Sequence, residues 1–159
     1  MKNVYFDKDL APAIISAIAS AKTSIELAVY QISPDTPTTH ARLKELWQAL
    51  RGAGERGCIC KAVIHEGGTI LPATGAALMT KHELEKSKWQ VHLWPKGKIM
   101  HAKMLIVDST KVFIGSHNWT QGGLLMNKEA SLYSDDSTDI KRAREWFLGM
   151  WDDMTKGVQ

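Results

Sequence analysis

Apolar residues recur along this chain with two periods, and the switches between them divide it into elements. Residues 3–6 read as a short strand. Residues 10–22 read as a helix: Ile14, Ile15, Ile18 and Ala21 share one face, Asp9 stands where a cap belongs, and Pro12 lies near the start, where proline is tolerated. S-I-E-L-A-V-Y-Q (24–31) alternates with Ile25, Leu27 and Val29 inward, the period of a strand. S-P-D-T-P-T-T (33–39) is a loop by its prolines and small polar residues. Residues 40–51 return to helical period through Leu43, Leu46, Trp47 and Leu50, and G-A-G-E-R-G (52–57) is expected to end that helix. A strand (58–64), a glycine-bearing loop (65–72), a helix (76–86) and a strand (89–94) that stops at Pro95 come next. The apolar runs M-L-I-V (104–107) and V-F-I (112–114) form a hairpin across D-S-T-K. Residues 127–133 read as a further strand. Residues 136–154 read as a last helix, whose stripe of Ile140, Ala143, Trp146, Phe147, Met150, Trp151 and Met154 is core packing.

Strand and helix alternate at first, and then strands come in succession. This predicts a single α/β domain over residues 1–159, a mixed β-sheet flanked by helices on both faces. With 159 residues, 44% apolar and 23% charged, the chain has the composition of an ordinary globular domain, so disorder is not expected away from the ends. The net charge of +3 leans weakly toward an anionic partner. Cys58 and Cys60 stand two apart in a strand, poor geometry for a disulfide, and read as buried thiols. The nearby His65 and Glu66 do not complete a zinc spacing. The N-terminal stretch M-K-N-V-Y-F-D-K-D-L lacks the apolar core of a signal peptide, and the apolar residues 10–21 are too few to span a membrane. No stable membrane association is expected. The compartment stays open among cytoplasm, periplasm and the outside of the cell.

The candidate chemistry lies at the ends of the hairpin. Residues two apart in a strand share a face, so His101 and Lys103 point the same way and Asp108 points to the other. Asp108 is expected to fix the D-S-T-K turn through local hydrogen bonds. The return strand brings Gly115, Ser116 and Asn118 back toward His101, and Gly115 permits a close approach of backbone or ligand. An imidazole, an ammonium, a hydroxyl and an amide then gather at one sheet edge. Ammonium and amide donors suit the non-bridging oxygens of a phosphate, and histidine serves as nucleophile or general acid/base near neutral pH. A histidine and a lysine two apart would alone be unremarkable, since a core histidine and a snorkelling lysine are common. The full spacing is not: H-x-K, four residues, D, six residues, G-S, one residue, N. At residue frequencies of about 5%, chance produces it on the order of once in a hundred thousand chains or less.

This pattern resembles the signature of the phospholipase D superfamily. A-I-A-S-A-K-T-S-I-E-L-A-V-Y resembles the helix–strand opening of its small single-motif bacterial endonucleases, and N-K-E-A, with Asn127 and Glu129, resembles their acidic segment after the motif. The resemblance implies a phospholipase D-like α/β/α sandwich and metal-independent phosphodiester cleavage through a phosphohistidine, with no cofactor. It implies two histidines, one attacking phosphorus and one protonating the leaving oxygen. Of the six histidines only His101 is followed two residues later by lysine, so a twofold homodimer with one composite site is expected. By resemblance His101 is nucleophile or acid/base, Lys103 and Asn118 bind phosphate, Ser116 hydrogen-bonds within the site and Glu129 orients the His101 imidazole. Asp108 belongs to the signature, although strand parity turns it away from substrate. Lys96 and Lys98 are candidates for flanking phosphates. Trp119 can stack on a base or pack in the core, and the loop at 33–40 is expected to rim the cleft.

Three functions fit these residues. The first is a non-specific endonuclease acting on DNA or RNA, favoured by small size, a single motif and a basic balance. The second is a phospholipase acting on headgroup phosphodiesters, which would want a membrane-seeking surface that the sequence does not show. The third is a phosphate or nucleic-acid binder without catalysis, against which an intact His101 and Lys103 argue.

Overall fold

The computed structural model describes residues 1–67, 71–95 and 97–157. The elements in chain order are β1 (Lys2–Phe6), α1 (Leu10–Ala19), β2 (Ser24–Val29), α2 (Ala41–Glu55), β3 (Ile59–His65), α3 (Leu71–Lys86), β4 (Gln90–Trp94), β5 (Lys103–Val107), β6 (Lys111–Gly115), β7 (Ala130–Ser134) and α4 (Ser137–Lys156). Among the described residues seven strands form one sheet in the order β1-β7-β6-β5-β2-β3-β4. β2, β3 and β4 run parallel and are joined through α2 and α3. β5 reverses against β2, and β6, β7 and β1 continue antiparallel. The sheet is therefore mixed, as the element pattern predicts.

Alternate strand residues feed two cores. Ile25, Leu27, Ile64, Leu105 and Val107 pack with α1, α2 and α3. Ala28, Val63, Met104 and Ile106 pack with Phe147, Met150 and Trp151 of α4 on the opposite face. A strand covered on both faces has no solvent side for a polar residue. The alternation in β2 suggested such a side, but Glu26 is only 5% exposed. Its carboxylate accepts hydrogen bonds at 3.1–3.2 Å from Nε and Nη2 of Arg144 on α4, which compensates the burial of its charge. Trp146 departs from its expected place in the α4 stripe: it is half exposed, beside an apolar groove lined by Ile114 and Leu132.

Other boundaries move for identifiable reasons. α2 runs through its glycines to Glu55. A Cβ on Gly54 would stand 1.7 Å from the Ser87 carbonyl oxygen, so this glycine lets α2 meet the end of α3 instead of breaking the helix. β7 starts at Ala130, later than expected: the Asn127 N–H closes the π-helical turn Gly122–Met126 on the Gly122 carbonyl at 2.8 Å, and the Glu129 N–H donates to the Asp7 carboxylate at 3.1 Å. Cys58 and Cys60 are free and buried, and burial pushes the Cys60 thiol up to about 12. Among the described residues no helix is long and apolar enough to cross a membrane.

Asp108 corrects both the expected end of α1 and the expected role of the D-S-T-K turn. Asp108 and Ser109 are left-handed, with φ of 53° and 52°, as a tight hairpin turn requires. The Asp108 carboxylate does not close that turn. It accepts the backbone N–H groups of Lys22, Thr23 and Ser24 at 3.0, 2.7 and 3.1 Å, and the Thr23 hydroxyl at 3.0 Å. Those N–H groups bind across the sheet instead of continuing a helix, and α1 stops at Ala19. Burial tends to raise the Asp108 pKa, but the hydrogen bonds from Thr23, Ser24 and Lys22 outweigh it and hold the carboxyl below its usual 3.8.

Two measurements follow from these contacts. Asp108→Ala is expected to cost about 2 kcal/mol, a fall in Tm of roughly 4–8 °C. A depressed carboxylate stabilises fully above its unfolded pKa and loses that effect as pH falls through the folded one. The gap between wild type and variant should therefore close below about pH 4, read by thermal melts across the acid range. A gap that persists in acid would show that the charge is not the brace. Gly115→Ala tests the β6–β7 approach, since a Cβ there would lie 2.1 Å from Ser131 Oγ and 2.4 Å from the Ala130 carbonyl oxygen. It should destabilise by about 1–3 kcal/mol in urea titrations, and a wild-type midpoint would refute the close fit.

Candidate active site

β5 begins where its apolar run begins, so the residues just before it lie at the sheet end. His101 is exposed there, and Lys103, the first residue of β5, is buried at 6% exposure. Lys103 Nζ stands 3.1 Å from each ring nitrogen of His101 and donates to the His101 carbonyl at 2.8 Å. Burial lowers the Lys103 pKa from its usual 10.5, while the Glu129 carboxylate acts to raise it. Val29 of β2 pairs with Lys103, which places Tyr30 beside the pair. The Tyr30 N–H donates to the Ala102 carbonyl at 2.9 Å. Its ring lies against His101 at 4.6 Å and stacks on His65 at 5.0 Å, and Lys103 Nζ sits 5.1 Å from its centroid. Tyr30 thus supports both groups.

The end of β6 supplies the second half. Ser116 N–H donates to the Ala130 carbonyl at 3.0 Å, and the Ser116 hydroxyl donates to the Glu129 carboxylate. Asn127 Nδ2 donates to the other Glu129 oxygen at 3.2 Å. Burial tends to raise the Glu129 pKa, but the hydrogen bonds from Ser116 and Asn127, with the charge of Lys103 nearby, bring it below its usual 4.5. Asn118 is positioned by its neighbours. His117 is fully buried: its Nε2 donates to the Asp7 carbonyl at 2.8 Å, and its Nδ1 meets Ser131 Oγ at 2.7 Å. Trp119 packs in the core, donates its N–H to Gln31 at 2.8 Å and accepts from Ser33 N–H at 3.0 Å. Gly123 allows the π-helical turn to press on Asn118, where a Cβ would fall 2.3 Å from its carbonyl oxygen. Asn118 Nδ2 reaches Gln31 Oε1 at 3.5 Å, and its Oδ1 is buried without a partner among the described residues.

The hairpin therefore brings His101 and Lys103 to the same sheet end as Ser116, Asn118 and Glu129. Asp108 stands apart, five residues along β5 and about 17 Å away, where it can only brace the fold. Glu129 makes no hydrogen bond to His101 among the described residues; its partners are Ser116 and Asn127. Lys98 is exposed in the turn after β4, and Lys96 lies outside the described residues. The loop at 33–39 is tied to the site through the Ser33–Trp119 contact, and Asp35 anchors it to Arg51 of α2 at 2.8 Å. Sequence reasoning missed Tyr30, Gln31 and the anchoring of His117. The available signal was the polar pair Y-Q at the end of the apolar run of β2, the strand that neighbours β5. Among the described residues no group of three or more His, Cys, Asp or Glu is placed to hold a metal ion. An imidazole against an ammonium, with an amide nearby, can receive a phosphodiester and attack it.

Comparison with known proteins gives this arrangement relatives. The family model described as cardiolipin synthase, PLD-like domain, matches residues 14–151. NucT from Helicobacter pylori shares the fold with a TM-score of 0.77 at 23% identity, covering 96% of each chain. Nuc from Salmonella typhimurium, a phospholipase D family member, gives 0.75 at 25% identity over 96% of this chain and 95% of that one. The mitochondrial cardiolipin hydrolase of Danio rerio is 24% identical over 145 residues, 87% of this chain and 56% of that protein. That of Xenopus laevis is 30% identical over 87 residues, 55% of this chain and 36% of that protein. The chain thus spans about half the length of these curated relatives or less. With the family model matched across most of the sequence and the whole sheet shared with Nuc, this chain belongs to the phospholipase D superfamily of phosphodiesterases.

Proposed function

We propose that the protein is a metal-independent endonuclease that cuts DNA or RNA through a covalent intermediate on His101. The observation that carries this reading is the contact of Lys103 Nζ with both nitrogens of the exposed His101 imidazole, at the sheet end that also holds Asn118. A phosphate entering there meets the Lys103 ammonium and the Asn118 amide at its non-bridging oxygens. An imidazole nitrogen of His101 forms a bond to phosphorus as the bond to the leaving oxygen breaks. A second imidazolium gives its proton to that oxygen. It then takes a proton from the water that displaces His101 from phosphorus.

The second imidazole points to a partner copy. His117 is held by Ser131 and the Asp7 carbonyl, and His65 lies behind the Tyr30 ring. His40 caps α2 by accepting the Arg42 N–H, His92 packs on Trp151, and His82 is exposed on α3. None of these adjoins His101. A twofold axis beside His101 would bring in the partner's His101, and the exposed Ile99, 75% accessible and two residues away, suits such a contact. Resemblance to small bacterial endonucleases and the +3 charge support nucleic acid as substrate. The cardiolipin hydrolase relatives favour a second reading, hydrolysis of a phospholipid headgroup.

The test is cleavage of plasmid, single-stranded DNA, RNA and cardiolipin liposomes in EDTA, with wild type beside His101→Ala. Wild type should cut nucleic acid, and the variant should lose on the order of a thousandfold or more in rate. Hydrolysis of liposomes with no cleavage of any nucleic acid would establish the lipid reading instead.

A further inference from the structure

A cavity of about 170 Å³ opens between the end of β2, the end of β3 and α3. Ile32, Ile64 and Ala77 give it an apolar lining, His65 contributes an imidazole, and Gln31 and Thr120 supply polar groups. It adjoins the phosphate-binding groups at two points. Gln31 accepts from the Asn118 amide at 3.5 Å, and the Tyr30 ring separates His65 from His101. A group bonded to a phosphate at His101 would reach this cavity past Tyr30 and Gln31, which line it.

Three features define an occupant. A space of about 150 Å³ takes one six-membered ring, so this cavity matches a single flat ring more closely than a fused pair. The apolar lining suits the faces of that ring, and Gln31 and Thr120 suit an edge bearing donors and acceptors. Among the described residues the His65 imidazole makes no hydrogen bond although the residue is only 4% exposed; its Nδ1 is fully enclosed, which leaves Nε2 as the nitrogen an occupant can reach. A nitrogen without a partner among the described residues suits a polar edge on an occupant. Burial also lowers the His65 pKa, which keeps the ring neutral and able to donate from one nitrogen and accept at the other.

We propose that this cavity is a base subsite for an unpaired pyrimidine next to the phosphate held at His101, Lys103 and Asn118. The proposal rests on the nuclease reading. A base stacked and paired in a duplex cannot enter such a cavity without leaving the helix, so cleavage concentrates on single strands at pyrimidine positions.

The experiment uses single-stranded DNA and RNA oligonucleotides that carry one pyrimidine in a purine run, and one purine in a pyrimidine run. Cut sites are mapped for wild type, Ala76→Leu, which fills the cavity from α3, and His65→Phe, which removes the polar edge. Thermal melting confirms that each variant is folded. Wild type should cut beside pyrimidines on the order of tenfold or more faster than beside purines, and the ratio should approach one in either folded variant. Equal wild-type rates at all positions would overturn the subsite and leave the nuclease reading standing. A ratio retained in both folded variants would overturn this location for it. Absence of cleavage in every oligonucleotide would remove the nuclease reading and the subsite with it.

Discussion

β5 is covered on both faces, and the architecture of the site depends on that constraint. Met104, Leu105, Ile106 and Val107 are each at most 2% exposed, divided between the two cores. A one-residue slip of this strand would exchange the residues of the two cores, so its register is strongly specified. Polar groups are confined to its ends. At one end Asp108 ties the hairpin to the start of β2, and at the other Lys103 and His101 meet at the end of the sheet. The hairpin's brace and its chemistry are separated by the length of one apolar strand.

The same logic shows how much could be read from the sequence. Strand parity placed His101 and Lys103 together and turned Asp108 away, and the alternation of elements predicted a mixed sheet with helices on both faces. What parity could not supply was any partner distant in the chain. Asp108 binds residues some 85 positions earlier, and nothing local distinguishes that from closing its own turn. Glu26 looked like a solvent-facing strand residue because Arg144, which covers it, lies 118 positions away. Gly54 read as a helix stop because the close approach to Ser87 that requires it is tertiary. Tyr30 and Gln31 looked like a strand's polar exit, and only the neighbouring β5 gives them a site to serve.

The flanks of Asn118 show how a small fold holds a loop residue in place. The tripeptide H-N-W alternates anchor, free group and anchor. His117 is pinned inward between Ser131 and Asp7, and Trp119 is bound to the chain after β2 at both its N–H and its carbonyl. The amide between them keeps little freedom, so little entropy is left to lose in the phosphate binding proposed for it. Lys103 is likewise fixed by burial of its stem. The site is preorganised by packing, which suits chemistry in which electrostatic positioning supplies much of the rate.

The central claim is that His101 becomes covalently bonded to phosphorus at a site shared by two copies of the chain. It is tested most directly by denaturing the enzyme in alkali during turnover and weighing the intact chain, followed by peptide mapping. The account predicts a nucleotidyl adduct on His101, on no more than one chain in each pair, because one imidazole attacks while the other handles the proton. An adduct on another residue, or on both chains of a pair at once, would contradict it.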